Sequence, residues 1–163
     1  MNCKVCTNDF NSSIHRTLIK YHLVYLRLSL VLSKTVHDVK PGHLDEYLVN
    51  CGRLVNELQR KEQLCELVAS FKVEIGDQDQ VVNIWRYKSG YPTASRVHRL
   101  LRTDSDLNNL VKDEAQLLRK RENQFMMAFS FWGHAQPSTR NCNYEMRSYI
   151  LKPGTMIEWG NNW

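Results

Sequence analysis

Leu67-Val68-Ala69-Ser70-Phe71-Lys72-Val73-Glu74-Ile75, then Gly76-Asp77-Gln78-Asp79, then Val81-Val82-Asn83-Ile84-Trp85-Arg86-Tyr87: two runs flank a turn-forming tetrad. In the first run Leu67, Ala69, Phe71, Val73 and Ile75 alternate with Val68, Ser70, Lys72 and Glu74. Alternation with a period of two predicts a strand with one apolar and one mostly polar face. Val81 to Tyr87 is rich in β-branched and aromatic residues, so the pair predicts an antiparallel hairpin. Ser89-Gly90-Tyr91-Pro92 closes it.

Helices flank the hairpin on both sides. Upstream, Leu44, Tyr47, Leu48, Cys51, Leu54, Val55 and Leu58 follow one another at steps of three and four, an amphipathic helix. It is preceded by Lys40-Pro41-Gly42, where proline ends an extended stretch running from Leu28 to Val39. Downstream, helix is predicted from about Thr93 through Val97, Leu100 and Leu101. Asp104-Ser105-Asp106 either interrupts it or caps a second helix. The stripe continues through Leu107, Leu110, Val111, Leu117 and Leu118. Arg119-Lys120-Arg121 is placed at the helix C-terminus, where cations complement the macrodipole. The triplet is read as a solvated helix end in preference to a nucleic-acid patch. A last strand is predicted from Asn123 to Trp132. Phe125, Met127, Phe129 and Phe131 alternate there with Met126, Ala128, Ser130 and Trp132. Both of its faces are apolar, which predicts a central position in the sheet.

The order β-α-β-β-α-β is the split βαβ of α+β, ferredoxin-like folds: a four-stranded antiparallel sheet with helical segments on one face. The other face must be covered as well. A repeat suggests how. Val39-Lys40-Pro41-Gly42-His43-Leu44-Asp45-Glu46-Tyr47 recurs as Leu151-Lys152-Pro153-Gly154-Thr155-Met156-Ile157-Glu158-Trp159, roughly one small domain later. The expected organisation is a basic segment over 1–27, a ferredoxin-like domain over 28–132 and a linker over 133–142. Residues 143–163 then form the opening strand and helix of a truncated second domain.

Bulk properties exclude several classes. No apolar run reaches the ~20 residues of a membrane-spanning helix. The net charge of +5 is concentrated at the start, where Lys4, Arg16, Lys20, Arg27 and Lys34 face only Asp9. The body is close to neutral, against a nucleic-acid surface. The acid-poor start suits a mitochondrial presequence, with a cytoplasmic location as the alternative. Five cysteines without a secretory signal read as free thiols. Cys3-Lys4-Val5-Cys6 is a lone pair, short of the four ligands of a structural zinc site. No phosphate-binding glycine loop, nucleophile elbow or HExxH helix occurs, so neither metal nor cofactor is expected.

Several segments resemble the NIPSNAP family. They are Gly76-Asp77-Gln78-Asp79-Gln80 with Trp85-Arg86-Tyr87 and Gly90-Tyr91-Pro92, and Phe129-Ser130-Phe131-Trp132 followed by Gln136-Pro137. Most specific is the run from Tyr144 to Trp163. The resemblance is closest over 76–163, looser over 36–75 and absent over 1–30. It implies tandem domains of the dimeric α+β barrel type, association with mitochondria, and roles in vesicle traffic and in marking damaged mitochondria for autophagy. It carries no catalytic residues. Glu74 and Ile75 stand where the family tends to have aromatic residues.

Trp85, Arg86, Tyr87, Trp132 and His134 are the candidates for a binding cleft. Alternation puts Trp85 and Tyr87 on one face and Arg86 on the other, where it needs a partner such as Glu66 or Glu74. Core packing is the first role for the tryptophans, and a surface position for His134. The favoured function is a non-enzymatic adaptor that recruits proteins, self-associating through the open sheet face. The alternatives are a small enzyme using an apolar cleft, by fold analogy alone, and a truncated product without independent function.

Overall fold

The computed structural model describes residues 30–128 and 143–162, which fall in two separate compact units. In the larger unit the order is β1 (Val31–Val39), α1 (Leu44–Lys61), β2 (Cys65–Lys72), β3 (Gln80–Tyr87), α2 (Tyr91–Thr103), α3 (Ser105–Gln116) and β4 (Leu118–Met126). The four strands form one antiparallel sheet in the order β2-β3-β1-β4. The α+β, ferredoxin-like class expected from the sequence is the class observed.

The turns follow from residue type. Gly42 and Gly90 adopt φ of +81° and +70°, which side chains disfavour. Pro92 lies in the first turn of α2, where its missing N–H costs no hydrogen bond. Asp104 resolves the open question of the second helix: it is a cap. Its carboxylate accepts from the backbone N–H of Asp106 at 3.2 Å and Leu107 at 3.1 Å, so α2 ends and α3 begins there. Lys61, at the end of α1, adds an ion pair to the same carboxylate at 2.6 Å.

The helices pack on one face of the sheet. Val31, Leu54, Leu58, Cys65, Trp85, Tyr87, Ala94, Val97 and Leu107 form one apolar cluster. Val39, Tyr47, Cys51, Val81 and Leu117 form a second. The other face presents Leu32, Lys34, Val36 and Asp38 of β1 beside Arg86, Ile84, Val82 and Gln80 of β3. None of α1, α2 and α3 packs there.

Several expectations need correction. The last strand begins at Leu118, not Asn123, and Arg119-Lys120-Arg121 lies within it. The helical stripe ends at Leu117, whose N–H bonds the carbonyl of Glu114, and the ladder to β1 starts at the next residue. There Lys120 faces Asp38 and Arg121 faces His37. β4 is also an edge strand of this sheet, not a central one. Its charged side chains are those that discourage edge-to-edge pairing. Phe129, Phe131 and Trp132, which had suggested a central strand, lie outside the described residues.

The apolar alternation of β2 does not stay on one face. The register shifts between Leu67 and Ala69, so Leu67 faces Trp85 while Ala69 and Phe71 face Ile84 and Val82. A bulge at Val68 thus transfers the apolar residues from the helix side to the opposite side. Lys72 correspondingly pairs with Val81, on the helix side, although its own side chain is half exposed and bridges to Glu74. Ile75 lies beyond the strand and is 97% exposed.

In the smaller unit, Asn143 to Leu151 was expected to be a strand and has no strand structure. A strand gains its hydrogen bonds only from a neighbour, and no described segment pairs with this one. The helix that follows does form, as α4 (Met156–Asn161).

Candidate functional site

The three candidates among the described residues do not converge on one site. Trp85 and Tyr87 point into the helix-side core, at 9% and 4% exposure. Tyr87 stacks edge-on against Phe125 at 6.2 Å. Burial pushes its hydroxyl up to about 12, so it stays a neutral packing group. Arg86 lies on the opposite face and pairs with Glu66 at 3.4 Å, the partner anticipated on the hairpin mate. Glu66 also receives Lys88 at 3.5 Å. Glu74, the other anticipated partner, bridges instead to Lys72 at 3.1 Å. Trp132 and His134 lie outside the described residues.

A group that the sequence reading did not single out sits beneath the sheet. On the helix-facing side of β1 and β3, Ser33, Thr35, His37 and Asn83 separate the two apolar clusters. Tyr47 of α1 reaches into them. Its hydroxyl lies 2.9 Å from His37 Nδ1 and accepts from Asn83 Nδ2 at 3.2 Å. Ser33 donates to the side chain of Asn123 on β4. Glu114 of α3 is 5% exposed in the same layer.

Burial sets the protonation of this group. It lowers His37 to about 4, with the charge of Arg121 acting in the same direction. His37 is therefore neutral at pH 7 and shares a hydrogen bond between its Nδ1 and the Tyr47 hydroxyl. Burial raises Glu114 to about 7, opposed by Arg121. Burial and the Glu114 carboxylate together push the Cys51 thiol up to about 11. Two buried oxygens, Thr35 Oγ1 and Asn83 Oδ1, have no hydrogen-bond partner among the described residues. Each such group costs about 1–3 kcal/mol.

Chemically, the cluster can hold a proton on Glu114 near neutral pH. No carboxylate, thiol and imidazole set able to hold a metal ion occurs among the described residues. The signal was present in the sequence. Glu114 interrupts the α3 stripe between Leu110, Val111 and Leu117, and Asn83 stands between Val81 and Trp85 on a core-facing row. Both are polar residues at positions whose period demands apolar ones.

Residues 35–132 match the NIPSNAP family. The chain belongs to the NIPSNAP family. It is 41% identical over 128 residues to the mouse Protein NipSnap homolog 2, covering 78% of this chain and 46% of that protein. It is 38% identical over 136 residues to Protein NipSnap of Drosophila melanogaster, covering 82% and 50%. This chain thus spans about half the length of the curated relatives it matches. Among solved structures, a NIPSNAP-like domain protein from Burkholderia xenovorans superposes with a TM-score of 0.58 at 23% identity, covering 70% of this chain and 97% of that one. A putative antibiotic biosynthesis monooxygenase from Caulobacter crescentus superposes with a TM-score of 0.55 at 10% identity, covering 68% and 99%. At these identities the structural likeness establishes the fold alone.

Proposed function

We propose that this NIPSNAP-family chain is a non-enzymatic adaptor that acts at mitochondria, in vesicle traffic or in signalling for mitophagy, and that it associates with proteins through the sheet face opposite its helices. The observation that carries the reading is the composition of that face. Leu32, Val36, Val82 and Ile84 from β1 and β3, with Ala69 and Phe71 brought over by the bulge in β2, line that face, Leu32 and Val82 buried and the other four half-buried within the chain. Helices α1, α2 and α3 pack on the other side. Polar and charged residues bound this apolar group, namely Asp38, Gln80, the Arg86–Glu66 pair, and Lys120 and Glu122 on β4, while Lys34 stands within it between Leu32 and Val36. An apolar centre with a charged rim is the anatomy of a protein-binding surface. The family membership supports the adaptor role. So does the placement of Trp85 and Tyr87, which gives both a packing function.

A second copy of the chain is the partner expected in isolation, by a two-fold, self-complementary contact. Sedimentation at several concentrations tests this: dimer is expected, and a monomer persisting at ~10–50 µM, well above the micromolar dissociation constants of weak interfaces, contradicts it. Imaging a C-terminal fluorescent fusion tests the compartment. Mitochondrial signal is expected, and diffuse cytosolic signal contradicts it.

A further inference from the structure

A groove of about 470 Å³ opens between α2 and the end of β4, on the helix side of the sheet and away from the face discussed above. Its apolar wall is aromatic: Tyr91 meets Phe125 edge-on at 5.3 Å between ring centroids. Its other wall is a single stripe of α2. Ser95, His98, Arg99 and Arg102 follow at helical spacing, so all four side chains share one side of the helix. The His98 ring lies against Phe125, centroids 6.4 Å apart, and joins the two walls.

The charge here is unbalanced. Arg96, on the neighbouring stripe, is neutralised by Glu62 at 2.9 Å. Arg99 and Arg102 have no carboxylate within ion-pair distance among the described residues, and none lines the groove. Two guanidinium groups with a hydroxyl and an imidazole beside them supply donors suited to a phosphate or carboxylate. The adjoining aromatic pair offers an edge and a face to a flat ring. The volume is within the ~300–1,000 Å³ of small-molecule sites.

We propose that this groove binds a small, flat anion: an aryl or heteroaryl ring bearing a phosphate or carboxylate. The anionic group sits between Arg99 and Arg102, and the ring lies against Tyr91 and Phe125. Calorimetric titration of the full 163-residue chain with phenyl phosphate tests this, with inorganic phosphate and phenol as its two halves and benzoate as the carboxylate counterpart. Phenyl phosphate or benzoate is expected to bind about tenfold or more tightly than either half, because both walls contribute. Replacing Arg99→Gln and Arg102→Gln together is expected to weaken that binding about tenfold or more. Both side chains are exposed, so an unchanged melting temperature shows the fold intact. Phe125→Leu should weaken the aryl anions and leave inorganic phosphate unaffected. Arg53→Gln, on α1, should change nothing. The proposal is overturned if neither aryl anion binds at millimolar concentration, if inorganic phosphate binds as well as they do, or if binding survives the double substitution.

Discussion

At Lys40-Pro41-Gly42 and again at Lys152-Pro153-Gly154 the backbone makes the same turn. Gly42 and Gly154 have φ of +81° and +86°. The N–H of His43 bonds the carbonyl of Lys40 at 3.1 Å, and that of Thr155 bonds Lys152 at 3.2 Å. One turn later Tyr47 bonds back to His43 and Trp159 to Thr155, each at 2.9 Å. What surrounds the two turns differs. The first follows a strand paired on both sides, between β3 and β4, and Val39 and Tyr47 are fully buried. The second follows a segment with no strand structure, in which Ile150 is fully exposed. The turn and the helix start are thus encoded within a few residues. The strand is not: it exists only where neighbours complete its hydrogen bonds.

The sharpest way to break this comparison is to truncate the equivalent aromatic in each copy. Tyr47→Ala empties a fully enclosed site and removes the hydroxyl that joins His37 to Asn83. It is expected to cost about 3–5 kcal/mol in a chemical melt. Trp159→Ala, in a half-buried position against Tyr149, should cost less than about 1 kcal/mol of the same transition. Equal losses would mean that both copies share one cooperative core.

Acidity separates the copies next. Folding raises Glu114 from 4.5 to about 7. The stability linked to its proton is therefore complete below 4.5 and lost as pH rises through 7. His37 runs the other way: lowered from 6.5 to about 4, it contributes above 6.5, and that contribution is lost as pH falls through 4. Between about pH 4.5 and 6.5 the two slopes oppose each other. Glu114→Gln should raise stability at pH 8 by about 1–3 kcal/mol and leave the rising His37 slope uncovered below pH 6.5. Glu158→Gln, at an exposed position of the second copy, is the control. A flat difference between Glu114→Gln and the parent across this range would contradict the buried-carboxyl account.

The smallest effect is expected at the glycines. Neither Gly42 nor Gly154 has an atom within 4 Å of where a Cβ would stand, so alanine adds only backbone strain. Gly42→Ala should lower global stability by about 1 kcal/mol. Gly154→Ala should leave the main transition unmoved and reduce order only in the turn before α4.

Much of this was legible in the sequence, because periodicity and turn chemistry are local. Alternation in β2 and β3, the stripe of α1, and the Pro-Gly and Gly-Tyr-Pro boundaries gave the order of elements and the fold class. What depended on neighbours was misread. Arg119-Lys120-Arg121 looks like a helix end until Asp38 and His37 are placed opposite it. The alternation from Leu67 to Ile75 conceals a bulge, since nothing in a run of apolar residues says which of them slips register. Asn143 to Leu151 has strand composition without a strand's partner. At the candidate site, alternation correctly placed Arg86 opposite Trp85 and supplied Glu66 as its partner. The Tyr47–His37–Asn83 group went unseen because its members come from three elements.

Amide hydrogen exchange read by peptide is the most direct test of the central claim, that a shared local turn becomes a stable strand only where it is paired. Amides of Val31–Val39 should exchange only through global unfolding, while those of residues 143–151 should exchange within seconds, despite the matching turns that follow them. Comparable protection in the two segments would contradict the claim.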